Sequence, residues 1–171
     1  MDAAFWNFSL KIYRQPGVAD ECLHLQDNFG VDVNLLLFCA FAGAARGAVL
    51  AEADLAEATA LVREWHNDVV KTLRTVRRAL KPFGARQDWE LAAAAEVLRT
   101  QVKAVELESE RLEQAMLSKW GAGRLGQWPR KKPETAIATN IRALLALSVQ
   151  PEQGLPETQL RLIAAALSAS V

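Results

Sequence analysis

A surplus of charge of either sign is missing from this 171-residue chain, in which 20 lysines and arginines balance 20 aspartates and glutamates. A dedicated nucleic-acid binder carries a basic excess to displace counterions, so the balance argues against that class and leaves room only for a local patch. The same balance offers little electrostatic protection against self-association. Cysteine is scarce: Cys22 and Cys39 lie in different apolar segments without CxxC spacing. That excludes a disulfide framework and reads as two buried thiols in a reduced cytoplasmic setting. Histidine is scarcer still in chemical terms, since His24 and His66 stand alone. A metalloprotease helix needs two histidines four apart with an acid between them, and a ferritin-like site needs two Glu-x-x-His motifs. Neither pattern is complete, and no metal or cofactor is expected.

Other signatures are absent as well. No Gly-x-Ser-x-Gly elbow accompanies Ser9, Ser109 or Ser118, and no Gly-Lys-Ser/Thr phosphate loop follows a strand. The paired aspartate-rich clusters that hold magnesium and diphosphate in helical prenyl-transfer enzymes are lacking. The chain therefore reads as non-catalytic. Its longest apolar run, Leu35 to Ala45, is eleven residues closed by Arg46, against the roughly 20 needed to cross a bilayer. The opening "MDAAFWNFSL" places an acid where an export signal needs basic residues, which reads as a cytoplasmic protein.

What is present is helical periodicity. Phe5, Phe8 and Ile12 form one stripe, and Val18, Cys22, Leu25 and Phe29 mark a second helix stopped by Gly30. Asp32 stands where an N-cap belongs, ahead of a helix over 33–46 that is apolar nearly all round and must be covered on most sides. Gly47 is its stop. A long helix follows over about 54–81, with Leu55, Ala58, Val62, Trp65, Val69, Leu73, Val76 and Leu80 on a narrow seam. Arg63, Glu64, Asn67, Asp68, Lys71 and Arg74 lie off it. After Pro82 and Gly84, with Asp88 as cap, a helix over about 89–119 repeats the pattern in Leu91, Ala95, Leu98, Val102, Val105, Ser109, Leu112 and Met116. Joined by a short turn, the two predict an antiparallel hairpin over about 54–119, each arm up to roughly 45 Å at 1.5 Å per residue. Residues 121–133 form a basic Gly/Pro loop. Two shorter helices, each opened by Pro-Glu-Thr (133–135 and 156–158), complete the chain. No segment alternates as a strand does. The reading is all-α: a helical bundle with a long antiparallel hairpin, divided into a core over 1–120, the loop 121–133, and a C-terminal helical pair over 134–171 packed on the core.

Candidate sites lie in three places. Asn34 enters an apolar environment and needs partners, so it either ties down the turn at Gly30 or orients a small ligand between helices, beside Phe5, Trp6, Phe38 and Phe41. Glu106, Glu108, Glu110 and Glu113 cluster on the second long helix and read as a solvated acidic face. The stretch 119–132 joins Arg124, Trp128, Arg130, Lys131 and Lys132 without an acid. It suits base stacking and phosphate contacts, or, more plainly, a linker whose tryptophans pack back on the bundle.

"FWNFSLKIY", "PGVADECLHLQDNFGVDVNLLLFCAFAG" and "WHNDVVKTLRTVRRALK" together resemble a family of small proteobacterial proteins carrying a domain-of-unknown-function name. The resemblance covers about residues 5–81 and, more loosely, the second long helix. It implies a bacterial, cytoplasmic origin and brings no activity, cofactor or catalytic residue with it. Combined with exposed or awkward chemistry, it singles out Trp6, Asp27, Asp32, Asn34, Trp65, Arg74, Arg77 and Arg78. The functional expectation is a non-catalytic interaction or adaptor protein that presents a helix face to a protein partner or a second copy. Its rivals are a small-molecule or lipid-type binder with a pocket near Asn34, and weak nucleic-acid or phosphate binding through 119–132.

Overall fold

The computed structural model describes residues 3–124, 126–148 and 160–169. The described residues are all-α apart from one isolated bridge, and no helix among them is long and apolar enough to cross a membrane. In order they form α1 (Ala3–Tyr13), α2 (Val18–Phe29), α3 (Val33–Arg46), α4 (Glu52–Trp65), a π-helical turn (His66–Val70), α5 (Lys71–Gly84), α6 (Ala92–Ala122), α7 (Pro133–Ser148) and α8 (Leu160–Ala169). The second Pro-Glu-Thr, 156–158, lies outside the described residues. The chain divides into two compact units, residues 1–61 with 114–171 and residues 62–113.

The first unit is built around α3, which buries ten of its residues, Leu35 through Ala40 among them. Short-range chemistry sets its ends. The Asp32 carboxylate accepts from the backbone N–H of Asn34 at 2.8 Å and of Leu35 at 3.4 Å, satisfying donors that a first turn otherwise leaves open. Gly30 and Gly47 adopt left-handed φ of 69° and 62° at the ends of α2 and α3, a conformation that costs other residues about 1 kcal/mol or more.

Helix α3 packs most extensively on α7. Gly43 permits this closeness, because a Cβ there would lie 2.6 Å from the backbone nitrogen of Ile137. From the other side α1 lays Phe5 on Phe38 and Phe41, with ring centroids 5.6 and 5.2 Å apart. Asn140, fully buried on α7, takes the Leu50 N–H at 2.9 Å and donates to the carbonyls of Ala48 (2.9 Å) and Cys39 (3.2 Å). One side chain thus satisfies three buried backbone groups where the chain leaves α3. Cys22 and Cys39 are buried free thiols, and burial pushes the Cys22 thiol up to about 12.

The second unit is an antiparallel helical hairpin. Its first arm is interrupted by the π turn, in which the Lys71 N–H donates to the His66 carbonyl. The extra residue rotates the phase of everything after it. Burial runs through Leu55, Ala58 and Val62 as the spacing predicts, then passes to His66 and Val70. Beyond the turn no residue of α5 is buried, Val76 is exposed, and Arg74 and Arg77 are drawn inward. The expected continuous seam is therefore corrected at Val76, while Val69, Leu73 and Leu80 remain half-buried. Asp88 does not cap α6 either: the helix begins at Ala92, and the Asp88 carboxylate is taken by Arg86 at 3.1 Å.

Candidate functional site

The hairpin holds its arms together with polar groups. Trp65 donates its indole N–H to the Ser109 carbonyl at 3.0 Å, and His66 Nδ1 lies 3.2 Å from a carboxylate oxygen of Glu113. Further along, Arg74 spans Glu106 (3.2 Å) and Glu110 (2.8 Å), and Arg77 makes a two-pronged contact with Glu106. Hydrogen bonding to Glu106 raises the Arg77 pKa above the ordinary arginine value. Near the tip, Glu96 pairs with Arg99 at 2.7 Å beside Gly84, where a Cβ would meet a Glu96 oxygen at 2.7 Å. From His66–Glu113 through Arg74–Glu110 to Arg77–Glu106 the contacts step forward on one arm and back on the other, as an antiparallel register requires.

Two expectations change accordingly. Glu106, Glu110 and Glu113 are not a solvated acidic face: Glu106 is 5% exposed and Glu113 0%. The reason is that arginines 74 and 77, turned inward after the π turn, demand carboxylates opposite them. The expected apolar pattern of α6 is divided: Ala95 and Ser109 are buried and Val102 and Met116 half-buried, while its other members face solvent. Leu91, at the entrance of α6, Leu98, Val105 and Leu112 recur every seventh residue and are 53%, 48%, 55% and 39% exposed. Val97 beside them is 60% exposed. Within the hairpin only Val62, Val70 and Ala95 are buried hydrophobic residues. Charged groups thus share the hairpin interior with half-buried Val69, Leu73, Leu80 and Val102, and a row of leucines and valines lies outside.

Residues 4–117 match the family described as "Protein of unknown function (DUF2390)". The chain belongs to that family. No curated protein and no solved structure matches it. In this DUF2390 chain the matched span takes in the α3 core and the whole hairpin.

The sequence-selected residues fall into separate groups. Trp65, Arg74 and Arg77 share the hairpin seam, and Arg78 lies exposed on α5. In the first unit Trp6 is half-buried, Asp27 is exposed and accepts from Gln26 at 3.1 Å, and Asp32 is the cap described above. Asn34 accepts from the Gln114 amide at 2.9 Å, and Gln114 in turn accepts from the Ser9 hydroxyl at 3.0 Å. All three are buried.

The basic stretch is equally committed. Arg124 pairs with Glu57 and lies 4.7 Å above the Trp120 ring, and Trp128 is buried against Trp120 with centroids 5.6 Å apart. Arg130 bridges to Ala48 through its backbone, and the Lys131 N–H donates to the Gly47 carbonyl at 2.8 Å. Only the side chains of Arg130, Lys131 and Lys132 project into solvent from this set.

Asn140 and Gln114 were not singled out by the sequence; Ser9 entered only as a serine without an elbow, and Glu113 as part of an acidic face rather than as the partner of His66. Asn140 carried a usable signal, a lone amide inside the apolar stripe of Ile137, Ile141 and Leu144. At the seam Glu106 and Glu110 are engaged by arginine, and the His66–Glu113 pair is 8% and 0% exposed.

Proposed function

We propose that this chain is a non-catalytic helical interaction protein whose docking element is the outer face of α6. The partner we assign to that face is a second copy of the chain. The observation that carries the reading is the exposed seven-residue row Leu91, Leu98, Val105 and Leu112 on an arm whose inward face is charged. A helix with an apolar row at heptad spacing is suited to a knobs-into-holes partner, and contiguous apolar patches of a few hundred Å² mark interaction surfaces on soluble proteins.

The row reads alike in both directions, so an antiparallel pair sets Leu91 against Leu112 and Leu98 against Val105. The flanking row supports the same polarity. It holds Glu90, Val97, Ala104 and Arg111, again seven apart, with an acid at one end and a base at the other. Antiparallel pairing brings the Glu90 of one copy level with the Arg111 of the other, and opposite charges at such flanks select orientation.

Sedimentation or light scattering across micromolar concentrations tests the reading. We expect a dimer that Leu98→Glu with Val105→Glu converts to a monomer of unchanged helicity, because both positions face solvent in the single chain. Reversing both flank charges, Glu90→Arg with Arg111→Glu, should leave the dimer intact, whereas either alone should weaken it severalfold. A monomer at every concentration would remove the second-copy assignment.

A further inference from the structure

The first unit contains a cavity of about 280 Å³ that the hairpin reading does not use. Small residues create it: Ala4 from α1, Ala42 and Ala45 from α3, and Gly121 and Ala122 at the end of α6 leave space that larger side chains would fill. Its inner wall is aromatic and buried, formed by Phe38 and Trp128. Phe38 lies so close to the α6 backbone that a Cβ on Gly121 would stand 2.8 Å from its ring. The outer rim is different in kind. Ala4, Ala45, Arg46 and Ala122 are exposed there, and the Arg46 guanidinium makes no salt bridge among the described residues. Asn34, expected beside such a pocket, does not line it, because Gln114 holds its amide elsewhere.

The cavity opens to solvent at this rim and carries one buried hydroxyl, Ser118, on its wall, but its aromatic and alanine surfaces favour an apolar guest. A cation at its rim selects the polar end of that guest. We propose that this cavity binds a small amphipathic carboxylate of about ten heavy atoms in all, its apolar body against Phe38 and Trp128 and its carboxylate on Arg46. Guests that fill such pockets place most of their surface against apolar and aromatic walls and are oriented by a few polar groups. Guanidinium offers a carboxylate two parallel N–H donors. The size matches an eight-carbon acid, at roughly half the cavity volume once packing is allowed for.

The test uses the full chain with alanine methyl groups labelled, titrated with octanoate and with octanol while methyl spectra are recorded. Saturable shifts of the Ala42, Ala45 and Ala122 methyls are expected, with an octanoate Kd on the order of 100 µM. Octanol should bind the same place several times more weakly. Arg46→Gln should weaken octanoate about five- to tenfold and leave octanol unchanged. Ala122→Leu, at an exposed position on the rim, should abolish both. Shifts confined to Ala94 and Ala104 of the hairpin, or no saturable shift, would overturn the site. Equal octanoate binding by the wild type and Arg46→Gln would overturn the assignment of a carboxylate.

Discussion

Two helix pairs in this protein are built from the same periodicity and opposite chemistry. α3 and α7 meet through Gly43, Ile137, Ile141 and Leu144, with one amide, Asn140, placed where backbone groups need it. α5 and α6 meet through Arg74, Arg77, Glu106 and Glu110, and turn Val76, Leu98, Val105 and Leu112 to solvent. Burying apolar area stabilises by about 25 cal/mol per Å². Ion pairs removed from water return little beyond their desolvation cost, although they fix register and partner. The first pair is thus a source of stability, and the second a device for register that leaves part of its apolar surface in solvent.

The largest effect should come from the apolar pair. Asn140→Ala leaves the Leu50 N–H and the carbonyls of Cys39 and Ala48 buried without their present partner. At roughly 1–3 kcal/mol for each group that finds no water, a loss of about 3–4 kcal/mol is expected from urea unfolding. A change below 1 kcal/mol would mean that the pin is dispensable.

The ionic pair should respond less and in a different pattern. Glu106→Ala removes the carboxylate that Arg77 grips and leaves Arg74 its 2.8 Å contact with Glu110, so a loss of about 1–2 kcal/mol is expected. Replacing Arg74, Arg77 and Glu106 together by Met, Leu and Leu removes the desolvation cost along with the attraction. Stability should then stay within about 1 kcal/mol of the wild type. If the triple variant is as damaged as the single, the charged seam stabilises the hairpin in its own right and the contrast between the two pairs collapses.

The contrast also separates what the sequence discloses from what it withholds. The Asp32 cap, the Gly30 and Gly47 stops and the buried helix over 33–46 were legible because each depends on residues within one or two turns of one another. The existence of the hairpin was legible from its periodicity. Its inward face was not. On α6 the row Leu91, Leu98, Val105, Leu112 and the row through Glu106 and Glu113 share one period, and a period does not say which face meets the neighbour. The choice is made on the other arm by the π turn at His66–Val70, one added residue with no sequence signature, which swings Arg74 and Arg77 inward. The cavity was withheld for a related reason: alanines read as filler until three helices bring them to one place.

The smallest effect sharpens the comparison from within the apolar unit, where one acid is buried with a single strong contact. Glu21 accepts the Leu162 N–H at 2.8 Å, and burial raises its carboxyl pKa above the ordinary value of 4.5, opposed by that bond and by Arg161. A raised folded-state pKa means that the neutral acid is favoured in the fold. The stabilisation from a neutral Glu21 is complete below the unfolded pKa of about 4.5 and is lost as pH rises through the higher folded value. Glu21→Gln keeps an oxygen for Leu162 and never ionises. Its melting temperature relative to the wild type should therefore be near zero at pH 4 and become positive by a degree or two at pH 8. The opposite slope, with the variant losing ground as pH rises, would mean that the Arg161 attraction outweighs burial. This acid would then belong with the ion-paired hairpin carboxylates.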